Sequence, residues 1–148
     1  MKPALLLLLA LVVGPRSSAS AQADSAPNAP SRDTIPANVL QRGVEAFNRH
    51  DARALGALYA PTAAFLSLTT DSSARPRPGN PDSTAARFGR YWASQEQPPT
   101  LTLLRRVSAG PYVVDEYRLV DDEGPSHFLE LYEVRGGLII HDWILPSR

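Results

Sequence analysis

Cysteine is absent from the 148 residues of this chain, and its only lysine is Lys2. Without cysteine, the fold has no disulfide and must be held together by packing, and a lipid-modified N-terminal cysteine is excluded. Net charge is also absent, because 15 basic and 15 acidic residues cancel. This balance excludes an electrostatic case for binding nucleic acid or an anionic membrane surface. With 43% hydrophobic residues, the chain has enough apolar material for one compact domain.

The N-terminal segment has the three-part layout of a secretory signal peptide. Lys2 precedes an apolar run at residues 4–13, too short to span a bilayer, and Ala19-Ser20-Ala21 follows. We expect cleavage after Ala21 and a secreted or periplasmic protein without a membrane anchor; the alternative is a buried N-terminal helix. Residues 22–33 are small, polar and proline-bearing, which is typical of a disordered leader. A single domain should follow over residues 34–148.

The pattern of apolar residues predicts three helices and then a sheet. Thr34 can cap a first helix with Pro36 in its first turn, Asp51 can cap a second that ends at Pro61, and Asn80 begins a third. A long loop is predicted at residues 69–81, before the third helix. Strands are predicted at residues 63–68, 100–107, 112–120, 126–134 and 138–145. The fold class is therefore α+β, with the helices covering one face of a curved antiparallel sheet.

Two stretches in this order, FNRHDARALGALYAPTAAF and YEVRGGLIIHDWI, resemble the SnoaL-like branch of the nuclear transport factor 2-like superfamily. That superfamily shares a cone-shaped α+β fold with ketosteroid isomerases, and the resemblance covers residues 35–145. It implies a cone-like fold with an apolar cavity and, as in many relatives, a homodimer through the open face of the sheet. Members include isomerases, cyclases and hydrolases, so the function depends on the residues of the site.

The residues that serve ketosteroid isomerisation are mostly missing. The resemblance places Gly43 where the family has an oxyanion-binding tyrosine and Ser67 where it has the aspartate base. Glu130 falls on the position of the family's protonated aspartic acid and keeps a carboxyl group. A serine hydroxyl is too weakly acidic to replace a carboxylate base near neutral pH. One match in three argues against ketosteroid isomerisation.

The last strand departs from the polyketide cyclases in a similar way. Those relatives carry His-Trp-Asp there, with the aspartate as acid or base. Alignment on Trp143 puts Asp142 at the histidine position and Ile144 at the aspartate position. The carboxylate therefore lies two residues earlier, on the same face of the strand.

The register of the last hairpin decides whether Glu130 and Asp142 meet. If residues 135–137 form a three-residue loop, Val134 pairs with Leu138 and Glu130 lies opposite Asp142. A two-residue loop would move Glu130 opposite Trp143 and separate the carboxyls. We prefer the three-residue loop, because both positions line the cavity in the resembling isomerases.

Two carboxyls side by side in an apolar wall cannot both ionise cheaply, so one should keep its proton near neutral pH. The pair would then be a candidate acid/base site made of Asp142 and Glu130, with Tyr132 as a further donor. The alternative is a structural ion pair in which Arg105 or Arg118 neutralises the carboxyls.

The other polar residues of the sheet give weaker signals. We expect His141 on the outer face beside Trp143 and across from Leu131, and no metal site, because His50 and His127 lack neighbouring ligands at suitable spacing. No cofactor is expected. The aromatic and aliphatic side chains expected to contact a ligand are Tyr59, Phe88, Trp92, Phe128, Tyr132, Ile140 and Ile144.

The sequence thus predicts an exported SnoaL-like domain that binds a small hydrophobic molecule, or acts as an accessory domain, without efficient catalysis. The alternative is an enzyme of the isomerase, cyclase or hydratase type that uses Asp142 and Glu130 as an acid/base pair. A third hypothesis is a partner-binding domain whose cavity is filled.

Overall fold

The computed structural model describes residues 32–67 and 76–146. A short 3-10 helix, Arg32–Thr34, precedes helices α1 (Pro36–Asn48) and α2 (Ala52–Gly56). Strands β1 (Tyr59–Ser67) and β2 (Arg77–Pro78) lead to α3 (Pro81–Ala93). Four longer strands follow: β3 (Thr100–Ala109), β4 (Tyr112–Asp121), β5 (Gly124–Arg135) and β6 (Leu138–Pro146). The predicted signal peptide, the leader up to residue 31 and residues 68–75 of the predicted loop lie outside the described residues.

The α+β class is confirmed, with three helices packed on one six-stranded sheet in the order β2-β1-β6-β5-β4-β3. The sheet is mixed, since β1 runs parallel to β6 while the other neighbours are antiparallel. This parallel pairing differs from the antiparallel sheet that the sequence predicts. No helix in residues 32–67 or 76–146 is long and apolar enough to cross a membrane.

Local capping explains where the helices begin. Asp51 accepts a hydrogen bond from the Ala54 amide at 2.9 Å, and Asn80 accepts one from the Ser83 amide at 2.8 Å, as predicted for α2 and α3. Helix α1 instead begins after Ile35, which gives no side-chain cap, and relies on Pro36 in its first turn. The prediction that Thr34 caps this helix was wrong, because Thr34 belongs to the preceding 3-10 helix.

Helix α2 ends earlier than predicted. Its last residue is Gly56, and Tyr59 already belongs to β1. The Leu58 carbonyl accepts a hydrogen bond from the Ile139 amide at 2.8 Å, so β6 draws the backbone into the sheet before Pro61. Pro61 lies where the β1–β6 register shifts, which tolerates its missing amide proton.

The β5–β6 hairpin has a register that neither predicted loop gives. Gly136 and Gly137 form a two-residue loop, with φ angles of 57° and 82°, and Arg135 pairs with Leu138. Both glycines adopt the left-handed conformation that such loops require. The register then shifts between Glu133 and Val134, which leaves Ile140 as an extra residue on β6. This β-bulge reverses the alternation of side chains along β6, so Asp142 points to the same face as it would with a three-residue loop.

The predicted pairing of Glu130 with Asp142 was therefore wrong. Asp142 pairs with Tyr132, and Glu130 pairs with Ile144. Without the bulge, the two-residue loop would have put Glu130 opposite Trp143 and separated the carboxyls, as the alternative prediction stated. Because the bulge adds one residue, Glu130 and Asp142 become diagonal neighbours on the same face of the sheet.

The core lies between α1 and the concave face of the sheet. Val39, Leu40 and Phe47 on α1 pack with Val113 and Tyr117 on β4. The Asn48 side chain fixes the end of α1 to β3, since it both donates to the carbonyl and accepts from the amide of Leu101 at 2.8 Å. These contacts hold α1 above the sheet and leave a space between them.

Candidate functional site

A cavity of about 550 Å³ separates the helices from the sheet. Its walls are largely apolar and aromatic, and its polar groups come from a few side chains on β1, β4, β5 and α3. The residues that line it are Leu40, Gly43, Val44, Phe47, Leu55, Tyr59, Phe65, Arg87, Phe88, Tyr91, Leu101, Tyr117, Leu119, Ser126, His127, Phe128, Glu130, Tyr132, Ile139 and Ile144. A cavity of this size and composition suits a small organic molecule.

Two buried carboxyl groups stand at the inner end of this space. Glu130 lines the cavity and is 7% exposed, whereas Asp142 lies behind the wall and is 1% exposed. The Tyr59 hydroxyl donates to Asp142 Oδ2 at 2.6 Å, and the Tyr132 hydroxyl donates to Glu130. The two carboxyls also contact each other through a side-chain hydrogen bond. That bond requires a proton on one of them.

Burial raises the pKa of Glu130 well above its ordinary value of 4.5, and the charge of Asp142 raises it further. Burial also raises the pKa of Asp142, although the hydrogen bonds from Glu130 and Tyr59 oppose this. If both groups were ionised, Asp142 Oδ1 would be buried without a hydrogen-bond partner. A proton shared with Glu130 would satisfy that oxygen and leave the pair with one negative charge.

A chain of hydrogen bonds connects this pair to β3, the edge strand of the sheet. The hydroxyl of Tyr132 also interacts with that of Tyr117, which donates to Asp115 at 2.6 Å. Arg106 then binds both oxygens of Asp115, at 2.7 and 2.6 Å. Burial raises the pKa of Tyr59, Tyr117 and Tyr132, so these hydroxyls stay protonated and act as donors.

The positive charge of the cavity comes from α3. The guanidinium of Arg87 lies over the ring of Phe65, 3.8 Å from its centroid, and its charge lowers the pKa values of Glu130 and Asp142. This interaction acts at a distance, because among the described residues no ion pair within 4.0 Å joins Arg87 to either carboxyl.

The alternative prediction of an ion pair with Arg105 or Arg118 was wrong. Both side chains are exposed. Arg118 pairs along the sheet with His127, and Arg105 pairs with Glu116. The β-strand alternation turns these two arginines away from the cavity.

Most of the predicted site residues line the cavity, and three of them do not. Glu130 and five of the predicted ligand contacts line the cavity: Tyr59, Phe88, Phe128, Tyr132 and Ile144. Trp92 does not, because it packs edge-on against Phe47 with ring centroids 5.6 Å apart. Ile140 does not either, since it is the extra residue of the β-bulge. Asp142 reaches the site only through Tyr59 and Glu130.

Three polar residues of this region were not predicted from the sequence: Arg87, Tyr117 and Asp115. The segment VVDEY on β4 alternates buried Val113, Asp115 and Tyr117 with more exposed residues, and this period of two could have placed the polar pair inside. Arg87 carried no comparable signal, because one arginine beside Phe88 on an amphipathic helix is ordinarily a surface residue.

His141 points to the outer face, on the side opposite the cavity. Its Nδ1 lies 2.9 Å from Glu133 Oε2, and its ring stacks on Trp143 with centroids 5.0 Å apart. It pairs along the hairpin with Glu133, whereas Leu131 pairs with Trp143. Within residues 32–67 and 76–146, no group of three histidine, aspartate or glutamate side chains could hold a metal ion.

Comparison with known families agrees with this architecture. The family model described as the SnoaL-like domain matches residues 40–141. The chain belongs to the SnoaL-like domain family. Among curated proteins, no sequence matches this chain.

Solved structures share the fold of this SnoaL-like domain at low sequence identity. An NTF2-like protein of Mesorhizobium loti superposes with a TM-score of 0.65 and 18% identity, over 82% of this chain and 98% of that one. A ketosteroid isomerase-like fold protein of Catenulispora acidiphila, in complex with trimethylamine, gives a TM-score of 0.62 and 17% identity over 74% and 85%. An NTF2-like protein of Cytophaga hutchinsonii gives 0.62 and 11% over 76% and 90%. These likenesses show the fold alone.

Proposed function

We propose that this SnoaL-like domain binds a small, ring-bearing hydrophobic molecule and is not an efficient catalyst. The observation that carries the proposal is the cavity of about 550 Å³, with aromatic walls from Phe65, Phe88 and Phe128. Flat apolar walls around a few polar groups favour a ligand of this kind. Gly43 supports the absence of isomerase chemistry, because it lines the cavity where the family's tyrosine would stand and offers no side-chain donor.

Filling the cavity tests this proposal. Gly43→Leu would place a side chain into the cavity, since a Cβ there meets only the ends of Leu58 and Leu55, at 3.5 and 3.9 Å. We expect this variant to lose binding of an uncharged fluorescent probe such as N-phenylnaphthylamine. Gly89→Leu is the matched control, because Gly89 is a helical glycine that does not line the cavity. Equal probe binding by both variants would contradict the proposal.

The shared proton favours a second candidate function, an enzyme that moves a proton to and from carbon. Glu130 touches the cavity and carries the shared proton, which it could pass to Asp142 before taking a proton from a carbon next to a ligand carbonyl. An enolate would form, and Glu130 would later return the proton to carbon while Asp142 holds the shared one. The observation behind this candidate is Asp142 Oδ1, which is unsatisfied unless a proton lies between the carboxyls.

Hydrogen–deuterium exchange at the methyl group of methyl naphthyl ketone, followed by NMR in D₂O, tests this chemistry. The enzyme hypothesis predicts accelerated exchange by the wild type, abolished in Asp142→Asn with little change in ketone affinity. The pH dependence of any exchange that remains in Asp142→Asn should also shift, because this variant cannot share the proton of Glu130. Glu133→Gln, on the outer face, is the control and should exchange normally. Retained exchange in Asp142→Asn would exclude this residue from the reaction.

We also infer export and self-association. The signal-peptide pattern at residues 1–21 supports a mature protein that begins at Gln22 and is secreted or periplasmic. Its mass after purification from the native envelope would test the cleavage site. Exposed apolar residues on the outer face of β3, β4 and β5 support a homodimer: Leu104, Val107, Val114, Val120 and Leu129.

A further inference from the structure

Arg87 has an unused hydrogen-bonding capacity inside the cavity. Its Nη2 atom is buried and has no hydrogen-bond partner in the part of the chain that the structure describes. A buried donor without a partner loses its hydrogen bonds to water and gains none in return, which destabilises the protein. Such a group calls for an acceptor that the protein itself does not supply.

The neighbouring rings fix where that donor stands. The guanidinium carbon of Arg87 is 3.8 Å from the centroid of Phe65 and 5.0 Å from that of Phe88. Stacking on an aromatic face leaves the edge of a guanidinium free to donate in its own plane. All three residues line the cavity, so a molecule bound there would lie beside the same rings.

The acidic groups already present at the cavity favour an uncharged acceptor for Arg87 Nη2 over a charged one. The buried carboxyls of Glu130 and Asp142 stand at one end of the cavity, and the guanidinium of Arg87 enters it from α3. A carboxylate ligand would bring a further acidic group beside these carboxyls in an apolar space, which is costly. A neutral carbonyl oxygen accepts from Nη2 without adding charge.

We propose that Arg87 is the polar anchor of the ligand site and that the ligand is an uncharged, ring-bearing carbonyl compound whose oxygen accepts a hydrogen bond from Nη2. This inference rests on the proposed function, because it specifies the ligand of the same cavity. Arg87 approaches from α3, whereas the tyrosine missing at Gly43 would have come from α1. The carbonyl would therefore be held from a different wall than in the resembling isomerases.

Two probes of the same shape test the inference. Methyl naphthyl ketone and ethylnaphthalene, substituted at the same ring position, differ mainly in the carbonyl oxygen. We expect the wild-type protein to bind the ketone about tenfold more tightly, measured by equilibrium dialysis, as a hydrogen bond from a charged donor allows. Arg87→Met should lower ketone affinity to that of ethylnaphthalene and leave ethylnaphthalene binding unchanged. Arg90→Met, on the exposed side of α3, is the control and should behave as the wild type.

The outcomes separate this inference from the proposed function. If neither probe binds the wild-type protein, the ligand-binding function fails and the inference fails with it. If both bind with equal affinity, or if Arg87→Met weakens both equally, the inference alone is overturned. Circular dichroism would show whether the Met variant folds.

A second measurement, made on the wild-type complex, does not depend on the folding of Arg87→Met. The infrared carbonyl stretch of the bound ketone should shift to lower frequency in the wild-type complex, because a charged donor polarises the carbonyl bond. Arg87→Lys, which keeps the charge but loses the planar guanidinium, should reduce that shift. An unshifted carbonyl stretch in the wild-type complex would overturn the inference even if Arg87→Met did not fold.

Discussion

Asp142 shows how a carboxyl group can be buried without a direct ion pair. It is 1% exposed, and its neighbours are hydrogen-bond donors and another carboxyl rather than a cation. Tyr59 satisfies one oxygen, and the proton shared with Glu130 satisfies the other. A shared proton lowers the desolvation cost, since the two carboxyls then carry one charge rather than two.

The raised pKa of Glu130 predicts how stability depends on pH. The folded state binds this proton more tightly than the unfolded state, so its contribution to stability is fully present below pH 4.5 and is lost as the pH rises toward the folded pKa. Glu130→Gln should remove this loss, which amounts to up to about 1.4 kcal/mol per pH unit. Urea unfolding across a pH series measures the effect.

Glu133→Gln provides a control of opposite sign. Hydrogen bonds from His141 and Arg135 lower the pKa of Glu133, so its contribution is present at neutral pH and is lost as the pH falls through the folded pKa. The two variants should therefore diverge from the wild type at opposite ends of the series. A Glu130→Gln curve parallel to that of the wild type would show that Glu130 has no raised pKa.

At the scale of elements, the sequence predicted most of the fold. Asn80 and Asp51 gave the starts of two helices, because capping depends on residues within one turn. The four long strands were found within a few residues of their observed ends, because their alternation and the turns between them are local signals. The same alternation on β5 predicted that Phe128, Glu130 and Tyr132 share the face that lines the cavity.

The parts that the sequence did not predict depend on contacts between distant segments. The β-bulge at Ile140 forms where β6 must pair with both β5 and β1, and no local pattern marks it. The same holds for the early end of α2, which follows from a hydrogen bond between Leu58 and Ile139. Arg87 lines the same cavity as Glu130 only because α3 packs over the face of the sheet that carries Glu130.

Packing of α2 against α3 depends on Gly56. A Cβ at this position would overlap the Pro81 carbonyl oxygen and would lie 3.1 Å from the Cβ of Ala85. Backbone cannot move aside as a flexible side chain can, so Gly56→Ala should destabilise the protein by about 1–3 kcal/mol. Thermal unfolding followed by circular dichroism would measure this loss.

Gly89→Ala is the matched control for that substitution. Its Cβ would approach only Ala52, at 4.0 Å, and alanine favours the interior of a helix. We expect a gain of about 0.5–1 kcal/mol. If Gly56→Ala were equally harmless, α2 and α3 would not be packed as tightly as the structure describes.

At the scale of the whole molecule, the proposed homodimer predicts a change in mass. Leu129 is 41% exposed on the outer face, beside the exposed Val114 and Val107 of neighbouring strands. Leu129→Glu would place a charge in this apolar surface and should convert a dimer to a monomer, measured by sedimentation velocity. Arg90→Glu, on α3, should leave the dimer intact. A wild-type protein that sediments as a monomer at high concentration would contradict the proposal.

The parallel pairing of β1 with β6 has a consequence for folding kinetics. The hydrogen bond between Tyr59 and Asp142 joins residues 83 positions apart, so the polar centre of the cavity requires a long chain segment to close first. Hairpins such as β3–β4 can form before this closure. Domains dominated by such distant contacts fold slowly, on a timescale of about milliseconds to seconds. The ligand cavity should therefore be among the last features to form during folding.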